Sequence, residues 1–192
     1  MTTADDTPPL ISIVGRKNSG KTTLLVHVAA ELRRRGVRVA SVKHGHHDFE
    51  IDQPGRDSWR HVHEGQVEAV LMMARGRMAM VMTTPPAPPD VREAVRRHFG
   101  GSGYDVVLVE GLKYGDLPKI EIHRDGNAEG PVFDPDDRAA ASLFLALVTD
   151  LPRPPAGVPV IELGPTAADA PHVFAVADLV ERQALGREPT DG

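Results

Sequence analysis

The stretch "GRKNSGKTT", Gly15 to Thr23, sets one ammonium and two hydroxyls behind a pair of glycines. In the pattern Gly-x-x-x-x-Gly-Lys-Thr each residue type has a use in phosphate binding. Gly15 and Gly20 let the backbone wrap closely. The N–H groups of the loop, through Arg16, Lys17, Asn18 and Ser19, can then turn inward as an anion nest. A helix beginning near Lys21 adds its positive N-terminal end. Lys21 would reach β- and γ-phosphates as a point charge, and the Thr22 hydroxyl would ligate Mg²⁺. The bland alternative is a tight strand-to-helix turn with nothing bound. The flanks decide for a nucleotide: the apolar "LISIV" precedes the loop and an amphipathic segment follows it.

A phosphate cradle needs a carboxylate nearby to hold Mg²⁺ or its waters. The strongly apolar "YDVVLVEG" ends in Glu110, where the carboxyl edge of a strand would border the ligand crevice. An exposed charge at a strand end is the competing reading. "VTD" ends in Asp150, whose carboxylate could accept from both N1–H and N2–H of guanine. The full Asn-Lys-x-Asp pattern is missing, so a plain strand-terminal Asp stands equally. The stretch "VKHGHHDFEIDQPGRDS" crowds Lys43, His44, His46, His47, Asp48 and Asp52 together. Imidazole and carboxylate suit Zn²⁺ or Ni²⁺, but neighbouring histidines do not converge automatically. The favoured reading is a polar loop over the nucleotide, with Asp48 in indirect contact with Mg²⁺.

These groups need a scaffold, and the apolar periodicity supplies one. "LISIVG" reads as a buried strand, and Leu24, Leu25, Val28, Ala29 and Leu32 recur at helical spacing. That helix ends at Arg33 to Arg35 and Gly36, cations near its negative end and a left-handed cap. "VRVASVKH" begins at once, which is the β-α-β signature of a parallel sheet. "DSWRHVHEG" reads as a short helix with Asp57 or Ser58 as N-cap. "AVLMMARGRMAMVMTT" reads as a hairpin turning at Arg75–Arg77, its Met-rich run Met72 to Met82 being strand core. "VREAVRRHF" is a helix, and "KIEIHR" alternates like a half-exposed strand. "LFLALVTD" and "VPVIEL" are further strands, and a helix around "VADLVERQAL" follows. The expected architecture is one three-layer α/β domain over 10–186 with a mostly parallel sheet, flanked by polar tails at 1–9 and 187–192.

Bulk composition narrows the partners. The formal charge is −5, from 27 acidic and 22 basic residues, which argues against non-specific nucleic-acid binding. Cysteine is absent, excluding disulfides and thiolate metal sites and fitting a reducing cytoplasm. No apolar run approaches the roughly 20 residues needed to cross a bilayer. The start "MTTADDTPP" lacks the features of a secretory signal.

Taken in order, "GRKNSGKTTLL", "RRRGVRVA", "VKHGHHDFEIDQPGRDS" and "LVEGLK…PKIEIHR" resemble the molybdopterin-guanine dinucleotide biosynthesis protein B (MobB) family, strongly over Ile11 to Arg124 and weakly beyond. The resemblance implies a P-loop NTPase fold and a GTP-binding protein with weak GTPase activity that uses Mg²⁺. It implies an accessory to the molybdopterin guanylyltransferase (a MobA-like enzyme) that attaches GMP to molybdopterin. It also implies a homodimer, to which the hairpin around Arg75 to Met82 would contribute. Phosphate binding is carried over to Gly15, Gly20, Lys21, Thr22 and Thr23, and the acidic role to Glu110. Arg16 and Lys17 make the loop unusually basic, as if for added phosphate contacts. Two other readings compete: a metallochaperone GTPase holding Ni²⁺ or Zn²⁺ at His44, His46 and His47, and a small-molecule kinase in which Glu110 or Asp48 activates an acceptor hydroxyl.

Overall fold

The computed structural model describes residues 7–45, 52–83 and 90–187. They fall into two compact units, one from residues up to Gly45 and from Arg92 onward, the other from the stretch between.

The first unit is built on a six-stranded sheet. Its strands are β1 (Leu10–Val14), β2 (Val39–Lys43), β5 (Val106–Glu110), β6 (Lys119–His123), β7 (Phe144–Thr149) and β8 (Val160–Glu162). β3 and β4 belong to the other unit. The order is β2-β5-β1-β6-β7-β8, and every ladder is parallel. Burial on both faces explains why β1 and β5 are continuous apolar runs rather than alternating ones. β1 lies at the centre, where the chain's path turns from one side of the sheet to the other. A parallel sheet binds ligands beyond the carboxyl ends of its strands at such a point.

Helices α1 (Lys21–Arg34) and α5 (Pro171–Leu185) flank this sheet. Leu24, Leu25, Val28 and Leu32 of α1 meet Val173, Val176, Ala177 and Val180 of α5 over Ile11, Ile13, Ile120 and Ile122. Each such side chain contributes about 1.5–3 kcal/mol on burial. Gly36 closes α1 with φ +84°, as the left-handed cap expected there. A second cluster joins Val14, Leu147 and Val158 to Phe133 and Phe144. The short α4 (Arg138–Ala141) opens on Asp137, whose carboxylate accepts from the Ala140 N–H. Helix α3 spans Val91–Phe99.

One expectation for this sheet needs correcting. β6 is not half-exposed: all five residues of "KIEIH" are buried, because the strand lies between β1 and β7. Two of its alternate polar side chains, Lys119 and Glu121, are satisfied from outside the strand, while His123 Nδ1 finds no partner among the described residues. The Lys119 ammonium donates to the Gly115 and Leu117 carbonyls at 2.7 and 2.8 Å. The Glu121 carboxylate accepts from the Val132 and Phe133 N–H groups at 2.5 and 2.8 Å. Helix α1 also buries a charged side chain, Glu31.

The second unit contains α2 (Asp57–His63), β3 (Ala69–Ala74) and β4 (Arg77–Met82). The N-cap of α2 is Arg56, with no side-chain cap bond, and Asp57 is already in the first turn. The hairpin turns at Arg75-Gly76, with Gly76 at φ +75°. Here the Met-rich run is not core. Leu71, Met73, Met78, Met80 and Met82 share one face by register, and Met73 and Met78 are 76% and 70% exposed.

Candidate functional site

The loop after β1 has the backbone of an anion cradle. Gly15, Asn18 and Gly20 carry φ of +150°, +60° and +101°. At Gly15 a side chain has no room, since a Cβ would run into the Ile122 carbonyl and lie 2.6 Å from the Ser19 hydroxyl. Gly20 is the N-cap of α1, so no side chain caps this end, and no acid sits in the first turn. The positive end of α1 is therefore left to an anion.

Lys21 stands at that end. Its ammonium donates to the Arg16 carbonyl across the loop at 2.5 Å. Burial holds its pKa below the ordinary lysine value, helped by the neighbouring Lys113 charge and opposed by Glu110. Beside it, the Thr22 hydroxyl donates to the Glu110 carboxylate at 2.8 Å. Residues 88 positions apart thus form one oxygen-donor pair, the hard ligand set that Mg²⁺ takes.

Glu110 is held there by its strand. Ile13 is its partner in β1 and Lys43 its partner in β2, and its carbonyl accepts from the His44 N–H at 2.9 Å. Gly111 clamps the turn that follows: its carbonyl accepts from the Ser12 hydroxyl at 2.5 Å, and its N–H donates to the Ile13 carbonyl at 3.0 Å. A Cβ at Gly111 would lie 2.5 Å from the His44 carbonyl. The ends of β2, β5 and β1 are thereby fastened side by side beneath the cradle. Sequence reading passed over Ser12 and Gly111; the Gly directly after Glu110 was the available signal.

The other predicted residues are placed less uniformly. Arg16 turns away from the cradle: it donates to the Gly130 and Pro131 carbonyls at 3.2 and 3.5 Å and pairs with Glu129 at 3.2 Å. The Lys17 carbonyl accepts from the Asn127 amide at 3.4 Å. Asp150 accepts from the Asp125 N–H at 2.5 Å, on the far side of the loop from Glu110. Ser19 is fully buried, and its hydroxyl has no hydrogen-bond partner among the described residues. Thr23 is exposed in the first turn of α1. His46, His47 and Asp48 lie outside the described residues. Among those described, no group of three or more His, Asp or Glu converges as a metal site.

The fold and the cradle define a P-loop NTPase-like α/β protein, and the comparisons make this specific. The family model "Molybdopterin guanine dinucleotide synthesis protein B" matches residues 10–150. The chain is 34% identical over 173 residues to the molybdopterin-guanine dinucleotide biosynthesis adapter protein of Haemophilus influenzae, covering 90% of this chain and 88% of that one. It is 31% identical over 144 residues to the Escherichia coli protein of the same name, covering 75% and 79%. The crystal structure of Bacillus subtilis MobB superposes with a TM-score of 0.66 at 21% identity, over 93% of this chain and 99% of that one. The chain belongs to the MobB family.

No helix among the described residues is long and apolar enough to cross a membrane.

Proposed function

We propose that this chain binds GTP with Mg²⁺ on the loop from Gly15 to Thr23. On this reading it serves in the cytoplasm as an accessory to a molybdopterin guanylyltransferase of the MobA kind, with slow GTP hydrolysis of its own. The single observation that carries the nucleotide site is the Thr22–Glu110 pair at 2.8 Å, standing beside an uncapped helix end and a lysine that donates to a main-chain carbonyl. A triphosphate would replace that carbonyl as the partner of Lys21. Thr22 and Glu110 would hold Mg²⁺ or its waters, and Asp48 would contribute through water. The ion would neutralise charge on the β- and γ-phosphates. Glu110 would orient a water or hold its proton, while Asp150 would read the guanine edge. The pathway role rests on family membership and on the names of the two relatives.

The homodimer belongs to the same proposal. The apolar face of Leu71, Met73, Met78, Met80 and Met82 is exposed on a two-stranded ribbon. Contiguous apolar surface of this kind marks a contact site.

Calorimetric titration with GTP and with ATP, each with Mg²⁺, tests the reading. Tighter binding of GTP is expected, with Lys21→Ala weakening it about 100-fold or more while circular dichroism stays unchanged. Equal affinity for ATP would remove Asp150 as a guanine reader, and an unchanged Lys21→Ala variant would sink the site.

A further inference from the structure

Arg124, immediately after β6, has a role that neither the loop motif nor its acidic partner explains. Its guanidinium lies against the cradle: Nε and Nη2 are each 3.7 Å from where a Gly20 Cβ would sit, next to the Ile122 Cδ1 at 3.4 Å. From there Nη2 donates to the Thr166 hydroxyl at 3.4 Å, in the loop that follows β8. Among the described residues no carboxylate forms an ion pair with Arg124, in contrast to Arg16, Arg34, Arg35, Arg60, Arg92 and Arg97.

The β8 loop is itself fixed. The Gly164 N–H donates to the buried His172 Nδ1 at 3.2 Å, so that ring nitrogen is an acceptor and the imidazole is neutral. Burial, the Arg124 charge and His27 all keep the pKa of His172 low. Thr166 is thus presented from an anchored loop. The residue after Arg124, Asp125, donates its N–H to Asp150.

Three adjacent parallel strands, β6, β7 and β8, therefore deliver Arg124, Asp150 and Thr166 to one edge. At about 4.8 Å per strand this row is about 10 Å long, the size of a purine nucleoside. The Thr22–Glu110 pair lies in the opposite direction, on the β5 side of β1. A nucleotide with its phosphates on the cradle and its metal toward β5 has its base toward β6–β8.

We infer that Arg124 is the wall of a purine subsite, laying its planar guanidinium against the base while Thr166 holds it in that orientation and Asp150 meets the base edge. A guanidinium presents a flat cationic face to an aromatic ring, which an ammonium cannot. This rests on the proposed nucleotide site, and the experiment separates the two.

The probes are GTP and inorganic triphosphate, each with Mg²⁺, titrated into the wild-type chain and into Arg124→Ala and Arg124→Lys. GTP affinity is expected to fall roughly tenfold in both variants, with triphosphate affinity unchanged. Equal loss of triphosphate affinity, or full rescue by lysine, would make Arg124 a simple charge contact and overturn the inference. Unchanged GTP affinity in both variants would overturn it too. If the wild type binds triphosphate as tightly as GTP, the cradle stands and the base subsite falls; if it binds neither, the nucleotide site itself fails. Should Arg124→Ala lose its fold by circular dichroism, Arg124→Gln retains a donor for Thr166, and the same selective loss is expected of it.

Discussion

Helix α1 begins at Lys21 and ends at Arg33, Arg34 and Arg35, and the two sets of cations live in opposite conditions. Lys21 sits at the positive end of the helix dipole, an arrangement that costs about 0.3–1 kcal/mol. Among the described residues it donates to the carbonyl of Arg16. Arg35 sits at the negative end and is saturated: it bonds Glu31, Asp178 and Glu181 at 2.6, 2.6 and 2.7 Å. Arg34 takes both oxygens of the same Glu31 at 2.7 and 2.8 Å, and those bonds, with Arg35, pull the Glu31 carboxyl down to about 2 despite its burial. One end is satisfied by the protein and fastens α1 to α5; the other is left unsatisfied, as a ligand site requires. A basic run therefore says little until its partners are known.

Removing Arg35 should cut deepest into this contrast. Arg35→Ala leaves Glu181 buried without its cation and Glu31 with Arg34 alone, at a cost on the order of 3 kcal/mol. At this chain length that lowers Tm by roughly 6–12 °C. GTP affinity measured well below the transition should stay at the wild-type value; a parallel loss of affinity would mean that the ion cluster also shapes the cradle.

At the other end the effect should reverse in kind. Thr22→Ala is expected to leave Tm within about 1 °C, since an exposed hydroxyl is lost, while the Mg²⁺ dependence of GTP binding weakens about tenfold. Gly36→Ala comes next, at about 1 kcal/mol, because φ +84° suits only glycine although nothing lies within 4 Å of the new methyl group. Thermal melts read it directly.

pH separates the two ends most finely. The depressed Glu31 contributes stability that is present above its unfolded value near 4.5 and is lost as pH falls toward about 2. The lowered pKa of Lys21 acts at the alkaline extreme. There the folded chain sheds the proton first, so stability rises as pH climbs toward 10.5. Comparing denaturant midpoints of the wild type with Lys21→Met should remove the alkaline gain and leave the acid loss intact.

What was legible in the sequence divides along the same line. The cradle and its helix were readable because their logic is local: two glycines, a lysine and a threonine at fixed spacing, with apolar periodicity on either side. Glu110 was readable because an acid ending so apolar a strand is conspicuous. Two of the three partners of Arg35, Asp178 and Glu181, lie 143 and 146 residues away, beyond any local pattern. The alternation in "KIEIH" misled for the same reason. Lys119 and Glu121 are buried because loop carbonyls and N–H groups reach them, and alternation alone cannot distinguish water from a loop. Arg124 went unremarked because nothing near it in sequence announces that β7 and β8 end alongside. The methionine run was read as core because its composition suits one, while a two-stranded ribbon has no second layer to cover both faces.

That exposed ribbon also gives the chain a chemical sensitivity its composition hides. With no cysteine and five of its six methionines in the hairpin, oxidants find their thioethers gathered on one small element. Conversion of Met73 and Met78 to sulfoxides would turn an oily surface into a polar one. A protein without a single thiol thus still carries oxidisable sulfur, gathered on one element.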